Sequence, residues 1–249
     1  MPVSESEAIV LRSFPLGEGD LLVSFFSRTH GPLRGVAARA RKPKSRFGSA
    51  LEPLSYIRIW FYERETRELV RINQCELIES FLDVQRDYSA ALVLALASEV
   101  TAAVLAERQA ADANFRLLLL TARAVKSHAK PPLVLAYFAL WTVRLGGWLP
   151  QLERCGRCGA ELSAAAYLSP AHGLVCGLCR IPGQRMISQR GLQLARRIMV
   201  EKLERLMAES LPSEGLTEVK DFMLDMIEQH IEKPLRSRRL LEEKPERLS

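Results

Sequence analysis

Four cysteines in two close pairs carry the least ambiguous chemistry in this sequence. Cys155 and Cys158 form one pair, Cys176 and Cys179 the other, and together they follow the pattern C-x2-C-x17-C-x2-C. This spacing is typical of a structural zinc site, because zinc prefers four ligands at the corners of a tetrahedron. Two disulfides or four thiols without metal are the alternatives, and His172 could replace one thiolate. Four thiolates leave no open position for water or substrate, so the pattern predicts a metal that stabilises the fold and performs no catalysis.

Motifs that would indicate an enzyme are missing from the sequence. It contains no GxxxxGK[ST] phosphate loop, no GxGxxG after a strand, and neither HExxH nor GxSxG. A zinc deaminase would carry H-x-E and a proline directly before a C-x-x-C pair, and neither pair here follows a proline. We therefore expect a protein that is not an enzyme.

Basic residues are concentrated in one segment near the N-terminus. The chain has 35 basic and 29 acidic residues, a net charge of +6, but residues 28–51 hold seven basic residues and no acid. Such a segment is often a solvated loop, yet on a small barrel it would also bind phosphates. The candidate nucleic-acid contacts in it are Arg34, Arg39, Arg41, Lys42, Lys44 and Arg46.

Aromatic residues beside this segment could stack on bases. They are Phe47, Tyr56, Trp60, Phe61 and Tyr62. Strand alternation turns about half of them inward, so Trp60 or Phe61 is expected in the core. A second basic cluster follows the last predicted helix and includes Lys233, Arg236 and Arg238.

Composition and cysteine usage indicate a cytoplasmic protein of two domains. The 249 residues are 48% apolar and 26% charged, which is ordinary for a globular protein. Four of five cysteines belong to the metal pattern and Cys75 stands alone, which favours a reducing compartment. The N-terminus resembles no signal peptide, and the apolar window 131–149 contains Arg144, so it is interpreted as a buried helix and not as a membrane span.

The pattern of apolar residues predicts an α+β protein with two parts. Short β-rich runs at 8–14, 21–27, 33–38, 56–62 and 68–78 predict five strands, typical of an OB-type barrel, with an SH3-like barrel as the alternative. Helical patterns follow at 89–107, 115–128, 133–145, 188–208 and 213–232. We predict a barrel domain at 1–80 and a helical domain at 81–249, with an embedded zinc module at 152–180.

An ordered set of short motifs resembles a known family. The motifs are AIVL (8–11), GEGDL (17–21), GPLRGVA (31–37), ARKPKSR (40–46), LEP (51–53), LGGWLP (145–150), CGRCG (155–159), GLVC (173–176) and KPLRSR (233–238). Together they resemble the RecO family of bacterial recombination mediators, in the branch that retains the cysteines. The similarity extends over nearly the whole chain, although only the cysteine motif is specific by itself.

The resemblance implies a function and a set of partners. It implies an N-terminal OB barrel that binds single- and double-stranded DNA, annealing of complementary strands, and partnership with RecR. With RecR, the family loads the recombinase RecA onto strands coated by single-strand-binding protein. The resemblance makes the six basic residues of the segment the DNA contacts. It makes Lys233, Arg236 and Arg238 a second contact, either for DNA or for the acidic tail of the single-strand-binding protein.

Two other classes of function remain open at this point. A zinc-ribbon regulator that binds nucleic acid would show sequence preference. A metal-dependent enzyme would need zinc with an exchangeable water.

Overall fold

The computed structural model describes residues 3–63 and 68–242. The strands are β1 Val3–Leu16, β2 Asp20–Ser27, β3 Gly31–Ala37, β4 Tyr56–Tyr62, β5 Val70–Glu79, β6 Ala166–Ser169, β7 Gly173–Val175 and β8 Met186–Ile187. The α-helices are α1 Tyr88–Val104, α2 Asp112–Lys126, α3 Pro131–Leu145, α4 Gln189–Val200, α5 Leu203–Met207, α6 Ser213–Ile231 and α7 Arg236–Glu242.

The first five strands close into a barrel. Their order is β1-β2-β3-β5-β4, and β4 returns to pair with β1. All pairs are antiparallel except β3 with β5, which run parallel. This confirms the predicted α+β class and the five-stranded OB-type barrel, and it leaves the barrel no open edge.

Alternating side chains of the strands fill the barrel, and the basic segment contributes to the same core. Phe25 and Phe61 pack edge to face with ring centroids 5.8 Å apart. Phe47 and Leu51, which lie between β3 and β4, are buried with them. The prediction that Phe47 stacks on bases is wrong, because its ring is only 3% exposed. Tyr56 is also buried, at 7%.

The chain divides into two compact units. The first comprises residues 1–127 and 235–249, so the barrel is grouped with α1, α2 and α7. Within it, Ser98 on α1 donates to the carbonyl of Leu11 at 3.0 Å, and Arg123 on α2 pairs with Glu79 at 2.9 Å. The sequence predicts a domain boundary between residues 80 and 81, where the barrel strands end and the helices begin. The two compact units are divided elsewhere, so this domain boundary stays a prediction.

The second unit comprises residues 128–234 and is built on α3. This helix was expected to be buried, and ten of its fifteen residues are, from Leu133 to Val143. Helix α6 packs along it, and Trp141 donates from its indole nitrogen to the carbonyl of Ile198 on α4 at 3.3 Å. The two cysteine pairs belong to this unit.

Two details differ from the sequence prediction. The single helix predicted at 188–208 is broken, because Glu201 and Lys202 adopt extended backbone conformations between α4 and α5. The break lets Leu203 and Leu206 reach the core. Helix α7 and the three short strands near the cysteines were not predicted, because elements this short show only a weak periodicity of apolar residues. No described helix is long and apolar enough to span a bilayer.

Helix α7 begins on a carboxylate of α1. Glu99 accepts from the backbone N–H groups of Arg236 at 3.0 Å and Ser237 at 2.8 Å. Burial raises the pKa of Glu99, but these donors outweigh it, so the pKa lies below the ordinary 4.5. The lowered pKa means that the ionised carboxylate stabilises the fold above about pH 4.5, and that this stability is lost as the pH falls through the folded-state pKa.

We predict that Glu99→Ala lowers the free energy of unfolding by about 1 kcal/mol at pH 7, the size of a lost helix cap. The difference from wild type should shrink towards pH 4, because Glu99 of the unfolded chain then takes up a proton that the folded state disfavours. Denaturant titrations at both pH values measure it, with the exposed Glu52→Ala as control. An equal loss at both pH values would contradict the role of the charge.

Candidate nucleic-acid interface and metal centre

The basic segment forms one wall of a polar groove on the barrel. The groove has a volume of about 880 Å³. Five of its lining residues are cationic and exposed, and no acidic residue of the described part of the chain lines it. The lining residues are Ala38, Arg39, Lys42, Pro43, Lys44, Ser45, Arg46 and Arg71.

Hydrogen bonds to the β1–β2 turn hold the segment in place. The carboxylate of Asp20 accepts a hydrogen bond from the backbone N–H of Arg39 at 2.8 Å. The carbonyl of Gly19 accepts one from the backbone N–H of Arg41 at 2.9 Å. Arg39 and Lys44 have φ angles of 59° and 66°, in the left-handed region that non-glycine residues rarely adopt. Buried Phe47 anchors the other end, so the cations project from a shaped loop.

The electrostatics of the groove favour an anion. Because no carboxylate of residues 3–63 or 68–242 lines it, the positive charges of the lining add to one another, and a concave wall concentrates their field. Among the described residues, no salt bridge involves Arg39, Lys42, Lys44, Arg46 or Arg71. A chain of phosphates would supply the missing negative charge.

Four of the six basic residues predicted to contact DNA line the groove, and two do not. Arg39, Lys42, Lys44 and Arg46 line the groove. Arg41 does not, and its guanidinium donates to the carbonyl of Gly17 at 3.3 Å.

Arg34 lies on β3, outside the lining, and it already has acidic neighbours. Its guanidinium lies 3.1 Å from a carboxylate oxygen of Glu107 and 3.7 Å from one of Glu68. A DNA contact by Arg34 stays a prediction, and it would require phosphate to compete with these two carboxylates.

Sequence reasoning missed Arg71, which lines the groove from β5. Its backbone lies beside Val36 through the parallel β3–β5 pairing, 35 positions earlier in the chain. No local sequence pattern predicts which strands pair in parallel, so the position of Arg71 beside the basic segment follows only from the strand order of the barrel.

The second basic cluster is less uniform. Lys233 and Arg236 are exposed, and the unit boundary falls between them. Arg238 pairs with Glu242 at 3.0 Å, and its side chain is only 13% exposed. The structure therefore does not test these residues as one contact surface.

The four cysteine sulfurs meet as the pattern predicts. All four Sγ atoms lie within 4.8 Å of one another, and Cys158 and Cys176 are 3.8 Å apart. Zinc–sulfur bonds of about 2.3 Å in a tetrahedron place neighbouring sulfurs about 3.8 Å apart, so the donor set fits a metal of this kind. No disulfide joins these four cysteines in the structure.

Two tight turns present these thiols. The N–H of Gly156 donates to the carbonyl of Leu174 at 2.8 Å, and a Cβ at Gly156 would lie 1.8 Å from the carbonyl oxygen of His172. Only glycine allows this close approach of the two turns. The guanidinium of Arg196 on α4 then donates to the carbonyls of Leu152 at 2.6 Å and Leu162 at 2.8 Å, which ties the module to the helix.

The pKa values of two of the thiols are shifted in opposite directions. Burial raises the pKa of Cys155, but the backbone N–H groups of Cys158, Cys176 and Arg157 outweigh it and lower the pKa to about 6. At Cys179, hydrogen bonding to Cys158 and the charge of Cys155 raise the pKa to about 12. A divalent cation bound between these sulfurs would favour the thiolate form of both Cys155 and Cys179.

The remaining candidate ligands lie elsewhere. Within the described part of the chain, His172 is not among the groups that could hold a metal ion. Cys75 is buried in the barrel, and burial raises the pKa of its thiol to about 12. The site is therefore a closed set of four cysteines.

Comparison with known proteins gives one consistent result. Residues 1–81 match the family model described as Recombination protein O N terminal, and residues 85–239 match Recombination protein O C terminal. A DNA repair protein RecO of Koribacter versatilis is 38% identical over 94% of this chain and 96% of its own length. That of Bifidobacterium adolescentis is 31% identical over 97% of this chain and its full length.

We expect Cys176→Ser to release the metal and destabilise the protein, because metal binding free energy contributes to folding. A loss of even about 2 kcal/mol would lower Tm by roughly 4–8 °C. Metal analysis and thermal melting measure both effects, with Cys75→Ala as the control that should retain one metal ion per chain. Wild-type metal content and Tm in Cys176→Ser would contradict the metal centre.

Proposed function

The chain belongs to the RecO family of DNA repair proteins, and we propose that it acts in repair as a non-catalytic recombination mediator. In this proposal it binds single- and double-stranded DNA, anneals complementary strands, and helps to load RecA onto strands coated by single-strand-binding protein. Residues 1–80 would be the DNA-binding domain, and residues 81–249 the helical domain with the zinc module at 152–180.

The groove on the barrel is the observation that carries this proposal. Five exposed cations, with no acidic residue among the described residues of the lining, match the charge of a nucleic-acid backbone. The charge of these Arg and Lys side chains suits contacts to phosphates, which carry no sequence information, so we infer binding without sequence preference. This favours the mediator over a zinc-ribbon regulator, which would prefer particular sequences.

Annealing follows from charge neutralisation. Two strands repel each other through their phosphates, and Arg and Lys contacts release the condensed counterions and offset that repulsion. No covalent step is required, and no substrate is turned over.

Partners and metal complete the proposal. We infer RecR as the partner protein, and we assign Lys233 and Arg236, with Arg238, to DNA or to the acidic tail of the single-strand-binding protein. Exposed Lys233 and Arg236 support that assignment more than Arg238, which already pairs with Glu242. Zinc is the metal that four thiolates at these distances favour. Its role would be structural.

We predict that Arg39→Gln with Lys42→Gln weakens binding to all DNA sequences alike. Two lost phosphate contacts should flatten the slope of log K against log salt by about 1.4 for single strands. Fluorescence anisotropy with labelled strands of different sequence, at several salt concentrations, measures both.

The control is Arg86→Gln with Lys130→Gln, which removes the same charge from exposed residues that do not line the groove. It should leave the slope nearly unchanged. Equal effects of the two variants would show that net charge, and not the groove, governs binding.

A further inference from the structure

The lining of the groove has many cationic side chains and no aromatic ones, and this composition limits how a DNA strand can bind in it. Cationic side chains, Ala38, Pro43 and Ser45 form its walls, and no aromatic side chain lines it. Proteins that grip single strands by their bases normally offer aromatic rings on which successive bases stack. This groove offers charge without that platform.

Two phenylalanines close to the groove in sequence are turned away from solvent. Phe47 is 3% exposed and Phe61 is fully buried, both inside the barrel. The guanidinium of Arg46 lies over the Phe47 ring, 5.2 Å from its centroid. A base that entered the groove would therefore meet a cation at this point and not a ring.

The half-buried aromatics on the outer face of β4 do not extend the groove. Tyr62 is the cross-strand partner of Arg71, but it does not line the cavity. Trp60, two residues earlier, has Glu5 and Gln74 as its cross-strand partners. The carboxylate of Glu5 pairs with the guanidinium of Arg58 at 3.7 Å, so the run of unpaired cations that lines the groove does not continue onto Trp60.

We propose that the groove holds a strand by its phosphates alone and leaves the bases turned outward. This inference rests on the proposed function and specifies its ligand as the sugar-phosphate backbone. A base that is not stacked on protein is accessible to a complementary strand. The groove would then present a bound strand ready to pair, with its charge already offset.

Replacing the bases separates this mode from base stacking. Two labelled strands of equal length are titrated, one of thymidines and one of abasic tetrahydrofuran residues, with a neutral methylphosphonate strand as the third probe. We expect the abasic strand to bind within about twofold of the thymidine strand, and the methylphosphonate strand to lose binding. Each stacked base would change affinity by about five- to 150-fold.

A variant and a chemical probe complete the test. Tyr62→Leu should leave the affinity for both charged strands unchanged, and thymines in the complex should react with permanganate as fast as in the unbound strand. An abasic strand that binds at least tenfold more weakly, or protected thymines, would overturn the inference while leaving DNA binding intact. Failure of both charged strands to bind would instead overturn the proposed function and the inference with it.

Discussion

The site depends on like charges that are held close together in a groove lined by no described carboxylate. Arg39, Lys42, Lys44, Arg46 and Arg71 line one groove, and their mutual repulsion opposes the folded state. The barrel offsets that cost through buried apolar area and through the backbone bonds that hold the segment. Phe47 in the core and Asp20 on the β1–β2 turn fix the two ends of the loop.

This arrangement explains which parts of the site could be predicted. The cations at 39–46 lie within eight consecutive residues, so their cluster was visible in the sequence. The direction of Phe47 was not, because it lies outside any regular strand, where alternation gives no guide. Arg71 joins the groove only through the parallel pairing of β3 with β5, and that register is a property of the closed barrel.

The metal centre was predictable for the opposite reason. Each cysteine pair folds back within a few residues, so local spacing determines most of the geometry. The cysteine spacing did not predict how the module is attached to α4. Arg196 donates hydrogen bonds to the carbonyls of Leu152 and Leu162, more than thirty residues away in the sequence. Nor did periodicity reveal the break at Glu201, since the apolar spacing continues across it.

Binding of DNA in the basic groove is the central claim, and lysine acetylation tests it directly. The protein is acetylated with and without a saturating thymidine strand, and each lysine is quantified by mass spectrometry. We predict protection of Lys42 and Lys44, which line the groove, and no protection of Lys130, which is exposed and does not line it. Unchanged acetylation of Lys42 and Lys44 in the complex would place the DNA elsewhere and contradict the account.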